Sequence, residues 1–178
     1  MTIHDSDNPL TPVKDPIHLM GVAIRDMRNF KRKASTDKKL KFDVKAWHRV
    51  QSGVCYACVA GAVMAGTLEV PDDRSMWPCQ FDSYTQNKLF LLDALRMKKP
   101  GESGKITALI KIDLEWDARW ARICLEAIDS LTFRQRCKWW RGHITYWSMV
   151  RSRMIQLADK AGLTYERLED EDTRQSRP

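Results

Sequence analysis

The chain has 178 residues, 43% hydrophobic and 30% charged, which suits one globular domain that buries its own core without disulfide staples. Thirty Lys and Arg against twenty-three Asp and Glu leave a formal charge of +7, which favours anionic partners. Five cysteines, an odd number, and a polar start carrying Asp5, Asp7 and Asp15 argue against a secreted disulfide scaffold and a signal peptide; free thiols in a reducing cytoplasm are expected.

Residues 1–14 hold little to bury and read as a flexible N-terminal tail. Asp15 before Pro16 is a helix start, an N-cap acceptor followed by a proline in the first turn. Met20, Ile24 and Met27 then form an apolar stripe flanked by Ile17, Ala23 and Phe30, and Arg25, Arg28 and Arg32 run along the other side. This helix should end near Ala34 and Ser35. Residues 38–45 are basic and alternate Leu40, Phe42 and Val44 against Lys39, Lys41, Asp43 and Lys45; period two predicts a strand. A second alternation, Ile106, Ala108, Ile110, Ile112 and Leu114, makes 106–112 the expected partner of 39–46 in a minor two-stranded β element. A short helix capped by Asp43 competes with that strand, and the residues leave both open.

Residues 54–68, VCYACVAGAVMAGTL, carry no charge and are apolar or small all round, as in a helix buried at the centre of a core. At 1.5 Å per residue the helix would be roughly 22 Å long, too short to cross a bilayer of ~30 Å, so no membrane segment is expected. Ala57, Gly61 and Ala65 stand four apart, so a neighbour can approach the backbone closely. Residues 70–82, with Pro71 and Pro78, read as an ordered loop anchored by Trp77 and Phe81. Ser83 with Gln86 fits a capping box, and Tyr84, Leu91, Leu92 and Leu95 give the following helix its buried side. Pro100 and Gly101 end it. Trp116, Trp120, Ile123, Ala127 and Leu131 mark a further helix. Thr132 with Gln135 is a second capping box, opening a pattern from Phe133 through Cys137, Trp140, Ile144 and Trp147 to Met154 and Leu157. Gly142 inside that pattern allows a bend or a close contact, and Gly162 is the expected C-terminal cap. Five acids within residues 166–172 make 164–178 an acidic, mobile C-terminal tail. The resulting fold class is mainly α, a single helical domain over residues 15–163 enclosing the 54–68 helix.

Cys55 and Cys58 form a C-x-x-C step with no second knuckle, and His48 and Cys79 are the residues available to complete a metal set. Packed core thiols, a metal site and a thiol-redox pair all remain open readings. The four histidines are scattered, no nucleotide-binding or nucleophile-elbow motif occurs, and no residue set nominates a catalytic centre or a cofactor. Chemistry points instead to electrostatics. Arg134, Lys138 and Arg141 stand at i, i+4 and i+7 on one helix face that continues into Thr145, Ser148 and Ser152, bordered by Trp139, His143 and Tyr146. Basic side chains contact phosphates, and an adjacent aromatic such as Trp139 can stack on an unpaired base. Arg25, Arg28 and Arg32, with residues 38–45, offer a second basic surface. A solvated basic face with its aromatics in the core is the plainer reading of both.

Trp47-His48 followed by Cys55-x-x-Cys58-x-Ala60-Gly61-Ala62-Val63-Met64 resembles small accessory proteins found in bacteriophage genomes, over roughly residues 43–97. The resemblance carries no activity, cofactor or catalytic residue. It implies a small protein in an infected bacterial cytoplasm that binds, and inhibits, a host component. The expected function is therefore a non-catalytic binding protein whose basic helical surfaces engage nucleic acid or an acidic surface of a host nucleic-acid or defence protein. The alternative is a metal-binding or thiol-redox protein using Cys55 and Cys58.

Overall fold

A computed structural model describes residue 10 and residues 12–171. The first helix, α1 (Pro16–Thr36), forms as its caps require: the Asp15 carboxylate accepts from the His18 amide at 2.9 Å, and Pro16 occupies the first turn. Its stripe of Ile17, Met20, Ile24 and Met27 is buried.

The chain next builds a small sheet from β1 (Leu40–Phe42), β2 (His48–Gln51) and β3 (Val54–Ala57), in the order β1-β3-β2. β1 runs parallel to β3 with Leu40 opposite Cys55, and β2 runs antiparallel to it with Val50 opposite Cys55. Ser52 and Gly53, at φ of 51° and 73°, turn the chain between β2 and β3. Two positive φ values in a two-residue loop match the twist of paired strands. The expected helix over 54–68 is thus corrected: its first four residues are β3, Cys58 is the N-cap, and only α2 (Val59–Gly66) is helical. The run is apolar because strand and helix are both buried; every residue from Val59 to Met64 is below a tenth exposed. Gly61 makes the close contact expected of it, since a Cβ there would lie 1.4 Å from the Trp47 carbonyl oxygen.

The loop after α2 runs beside β2, where Met76 N donates to His48 O and Val50 N donates to Ser75 Oγ, each at 2.9 Å. Val70 and Met76 fix it to the core and half-buried Phe81 packs against it as expected, whereas Trp77, also expected as an anchor, is 49% exposed. α3 (Ser83–Met97) is capped by Asp82, which accepts from the Thr85 amide and hydroxyl, and not by a Ser83–Gln86 box. α4 (Glu102–Ala108) continues into a π-helical turn, Leu109–Asp113. The expected strand over 106–112 is therefore helix. Ile106, Leu109, Ile110 and Leu114 are buried at helical spacing, and Ile112, one of the alternating set, is 69% exposed.

α5 (Arg119–Asp129) buries Trp120, Ile123 and Ala127 as expected. The Thr132–Gln135 capping box is present and opens α6 (Phe133–Trp140). The bend allowed for at Gly142 is a full break, with φ +72°, and α7 (Ile144–Ala161) follows, closed by Gly162 at φ +67°. Trp139 and Trp147 stack across the break with ring centroids 3.9 Å apart, and each indole N–H meets a backbone carbonyl.

Leu10 and Val13 are buried, and residues 163–171 return across α1 and α7: Glu166 N donates to Asp15 Oδ2 at 2.7 Å, and Arg151 pairs with Glu171 at 2.6 Å. What was expected of residues 1–9, 11 and 172–178 lies outside the described residues. The fold is mainly α with a minor three-stranded sheet, and no helix among the described residues is long and apolar enough to cross a membrane.

Candidate functional site

Two arrangements carry chemistry. The first is the basic surface, and the fold joins its two halves. Lys31 of α1 donates to the Gly142 carbonyl between α6 and α7, and its ammonium lies 4.3 Å from the centroid of the Phe42 ring on β1. Gly142 fits there because it has no side chain; a Cβ would lie 2.4 Å from Phe42 Cζ. Next to it His143 is held below the usual imidazole pKa, by partial desolvation and then by the charges of Lys31, Lys138 and Arg141. Cations from α1 and α6 thus converge on one imidazole. Arg28, Arg32, Arg134, Lys138 and Arg141 are all exposed, and Arg28, Arg134 and Arg141 make no ion pair among the described residues.

The break at Gly142 redistributes the polar continuation of the face. Ser148 and Ser152 turn to the groove between α1 and α7, a cleft of about 500 Å³ where they meet Arg28, Asn29 and Arg32. Hydroxyls, an amide and guanidinium groups are the donors that phosphates take. Asp170 and Glu171 also line this cleft, so it is not uniformly positive.

Arg25 lines the same cleft, and its guanidinium is also paired internally, with Nε on Asp26 Oδ1 at 2.8 Å and Nη2 on Thr67 Oγ1 at 2.6 Å. One expected member leaves the site. Trp139 is 2% exposed, with its indole N–H on Leu95 O, so it is core and has no face for a base. Phe133, 84% exposed beside Arg134, is an aromatic of α6 that faces solvent. Its place on the apolar side of the pattern concealed that.

The second arrangement is a buried pair beneath a loop. In the β2–β3 ladder Val50 opposes Cys55 and His48 opposes Ala57, so all four share one face and His48 sits diagonally across from Cys55. Cys55 Sγ and His48 Nε2 are 3.6 Å apart, both residues are fully buried, and the Asp72 carboxylate completes a group whose ligand atoms lie within 4.8 Å of one another. Burial, reinforced by the Asp72 charge, pushes the Cys55 thiol up to about 11. Burial also lowers His48, opposed by Asp72 and by the backbone of His48 and Arg74, yet no acceptor is aligned on Nδ1. A neutral thiol facing a neutral imidazole is the opposite of an activated Cys–His nucleophile.

Of the expected metal candidates, then, His48 and Cys55 come together and Cys58 and Cys79 do not. Cys58 caps α2 with its thiol in the core, and Cys79 is exposed in the loop before α3. The strand at 54–57 separates the two cysteines, because successive side chains leave a strand on opposite faces and a three-residue step crosses the sheet. Asp72 was missed; a lone acid after Pro71 in a loop gives no signal by itself. Lys88 was missed too. It is fully buried, donates to Leu10 O and lies 3.9 Å from the Tyr84 ring centroid.

No protein-family model, curated protein or solved structure matches this chain.

Proposed function

We propose that the chain is a non-catalytic accessory protein that binds nucleic acid through the surface formed by α6, the turn at Gly142 and His143, and the second half of α1. The observation that carries this reading is that Lys31 of α1 donates to the Gly142 carbonyl, which sets it beside Arg141 and His143 at the end of α6, from helices far apart in sequence. Cations held together without matching carboxylates repel one another, and a polyanion relieves that repulsion while releasing its own counterions. Arg134 extends the surface along α6, Arg28 and Arg32 extend it along α1, and Phe133 supplies an exposed ring for an unpaired base. The bacteriophage resemblance supports an accessory role in an infected bacterial cytoplasm.

The test is fluorescence anisotropy with labelled single- and double-stranded oligonucleotides over a salt series. Replacing Arg134, Lys138 and Arg141 together by alanine should weaken binding to every sequence alike and lower the salt slope by about three, one for each lost phosphate contact. Because all three are exposed, the melting temperature should stay within a few degrees. A control that removes Lys105, Arg153 and Lys160 loses the same charge elsewhere and should keep most of its affinity. Equal losses in the two variants would show that net charge alone binds, and absence of binding at low salt would move the partner to an acidic protein surface.

A further inference from the structure

We propose that His48, Cys55 and Asp72 form a binding site for a divalent transition metal of the zinc class, with three protein donors and a fourth position open towards solvent. This goes beyond the basic surface and does not depend on it. The geometry is the first argument. A zinc ion bonded to sulfur at about 2.3 Å and to nitrogen at about 2.0–2.1 Å, at a tetrahedral angle, holds those atoms about 3.6 Å apart. Cys55 Sγ and His48 Nε2 are separated by 3.6 Å. The Asp72 carboxylate lies within 4.8 Å of both donor atoms, on an exposed loop residue free to close the remainder.

The second argument is the state of His48. Its imidazole is fully buried, Nδ1 has no hydrogen-bond partner, and the side chain facing Nε2 is a thiol. A thiol is a weak hydrogen-bond partner for a buried ring nitrogen, so Nε2 has coordination capacity to spare. The donor set decides the metal: one thiolate, one imidazole and one carboxylate suit zinc or cobalt, whereas magnesium and calcium take oxygen and iron–sulfur clusters take several thiolates.

The scaffold is suited to the task. His48 and Cys55 sit on a hairpin locked against Gly61, and the loop bearing Asp72 is already tied to β2 through Met76 and Ser75. A metal would staple that loop to the hairpin. Cys55 enters as thiolate, its proton passing to solvent when the sulfur–metal bond forms.

The full chain, freed of metal by a chelator that is then removed, is titrated with Co²⁺ and followed by absorption. One equivalent should bind, with thiolate-to-cobalt charge transfer in the near ultraviolet and the intense visible bands of four-coordinate cobalt, and Zn²⁺ should displace it. Asp72→Asn, an exposed change that leaves the metal-free fold intact, should weaken Co²⁺ by about tenfold or more. Cys79→Ser, which removes the exposed thiol, should change neither spectrum nor affinity. Folded wild type that binds no cobalt, a complex with no charge-transfer band, or a band that survives in Asp72→Asn at unchanged affinity would each overturn the site.

Discussion

Lys88 offers the most quantitative handle on the fold, because its side chain is 0% exposed and the partners that hold its ammonium are a carbonyl and an aromatic face. Burial lowers its pKa to about 7 from an ordinary 10.5, with the Asp82 charge opposing the shift. A base lowered in the folded state binds fewer protons there than in the unfolded chain. Between pH 7 and pH 10.5 the unfolded chain therefore holds the extra proton, and stability rises with pH across that window. Below pH 7 the full penalty of a buried charge is present. At about 1.4 kcal/mol per pH unit that penalty is on the order of 5 kcal/mol, an upper bound because water entering around the ammonium relaxes it. Lys88→Met keeps the packed stem and removes the charge. The variant should be more stable than wild type at pH 6.5, by about 1–3 kcal/mol after the lost hydrogen bond to Leu10 is allowed for, and the gap should close towards pH 10. Urea unfolding at pH 6.5, 8 and 9.5 reads both the sign and the slope. Parallel curves for the two proteins at every pH would refute the reasoning, and would mean that Asp82 keeps Lys88 charged throughout.

Two substitutions test the contacts around the candidate sites. Gly61→Ala places its Cβ 1.4 Å from the Trp47 carbonyl oxygen, a backbone atom next to His48, so α2 and β2 must separate; the loss should exceed the ~1–3 kcal/mol of ordinary overpacking, and an unchanged urea midpoint would disprove the contact. Trp139→Ala should cost about 3–5 kcal/mol of stability by removing the stack on Trp147, and a variant that melts like wild type but loses binding to single strands would return Trp139 to the surface.

Most local signals in the sequence were read well because they act within one turn of chain; the exception is Ser83 with Gln86, where Asp82 one residue earlier is the cap. Asp15 with Pro16, Thr132 with Gln135 and Gly162 each satisfy or terminate backbone groups a few residues away, and each does so in the fold. Misreadings fall where two periods fit the same residues. In 106–114 the alternating set shares Ile106, Ile110 and Leu114 with a helical set, and Leu109 decides between them because only a helix buries both Leu109 and Ile110. Lys88 and Asp72 were beyond any local rule. A lysine on a predicted helix is ordinarily solvated, and here the return of Leu10 across α3 helps to cover it.

The segment at residues 54–68 shows why function was less legible than fold. An uncharged run tells that a segment is buried, and says nothing about whether its side chains leave every 100° or every 180°. The deciding signal was Ser52-Gly53, a two-residue step flanked by Val50-Gln51 and Val54-Cys55, which is a hairpin signature and not merely a break. As a helix, the segment puts Cys55 and Cys58 on one face and invites a C-x-x-C reading. As a strand followed by a helix, it sends them to different environments and turns Cys55 towards a histidine seven residues earlier. A choice of period over four residues thus determines which donors meet, and the His48–Cys55 pairing follows from the hairpin register and not from the cysteine spacing.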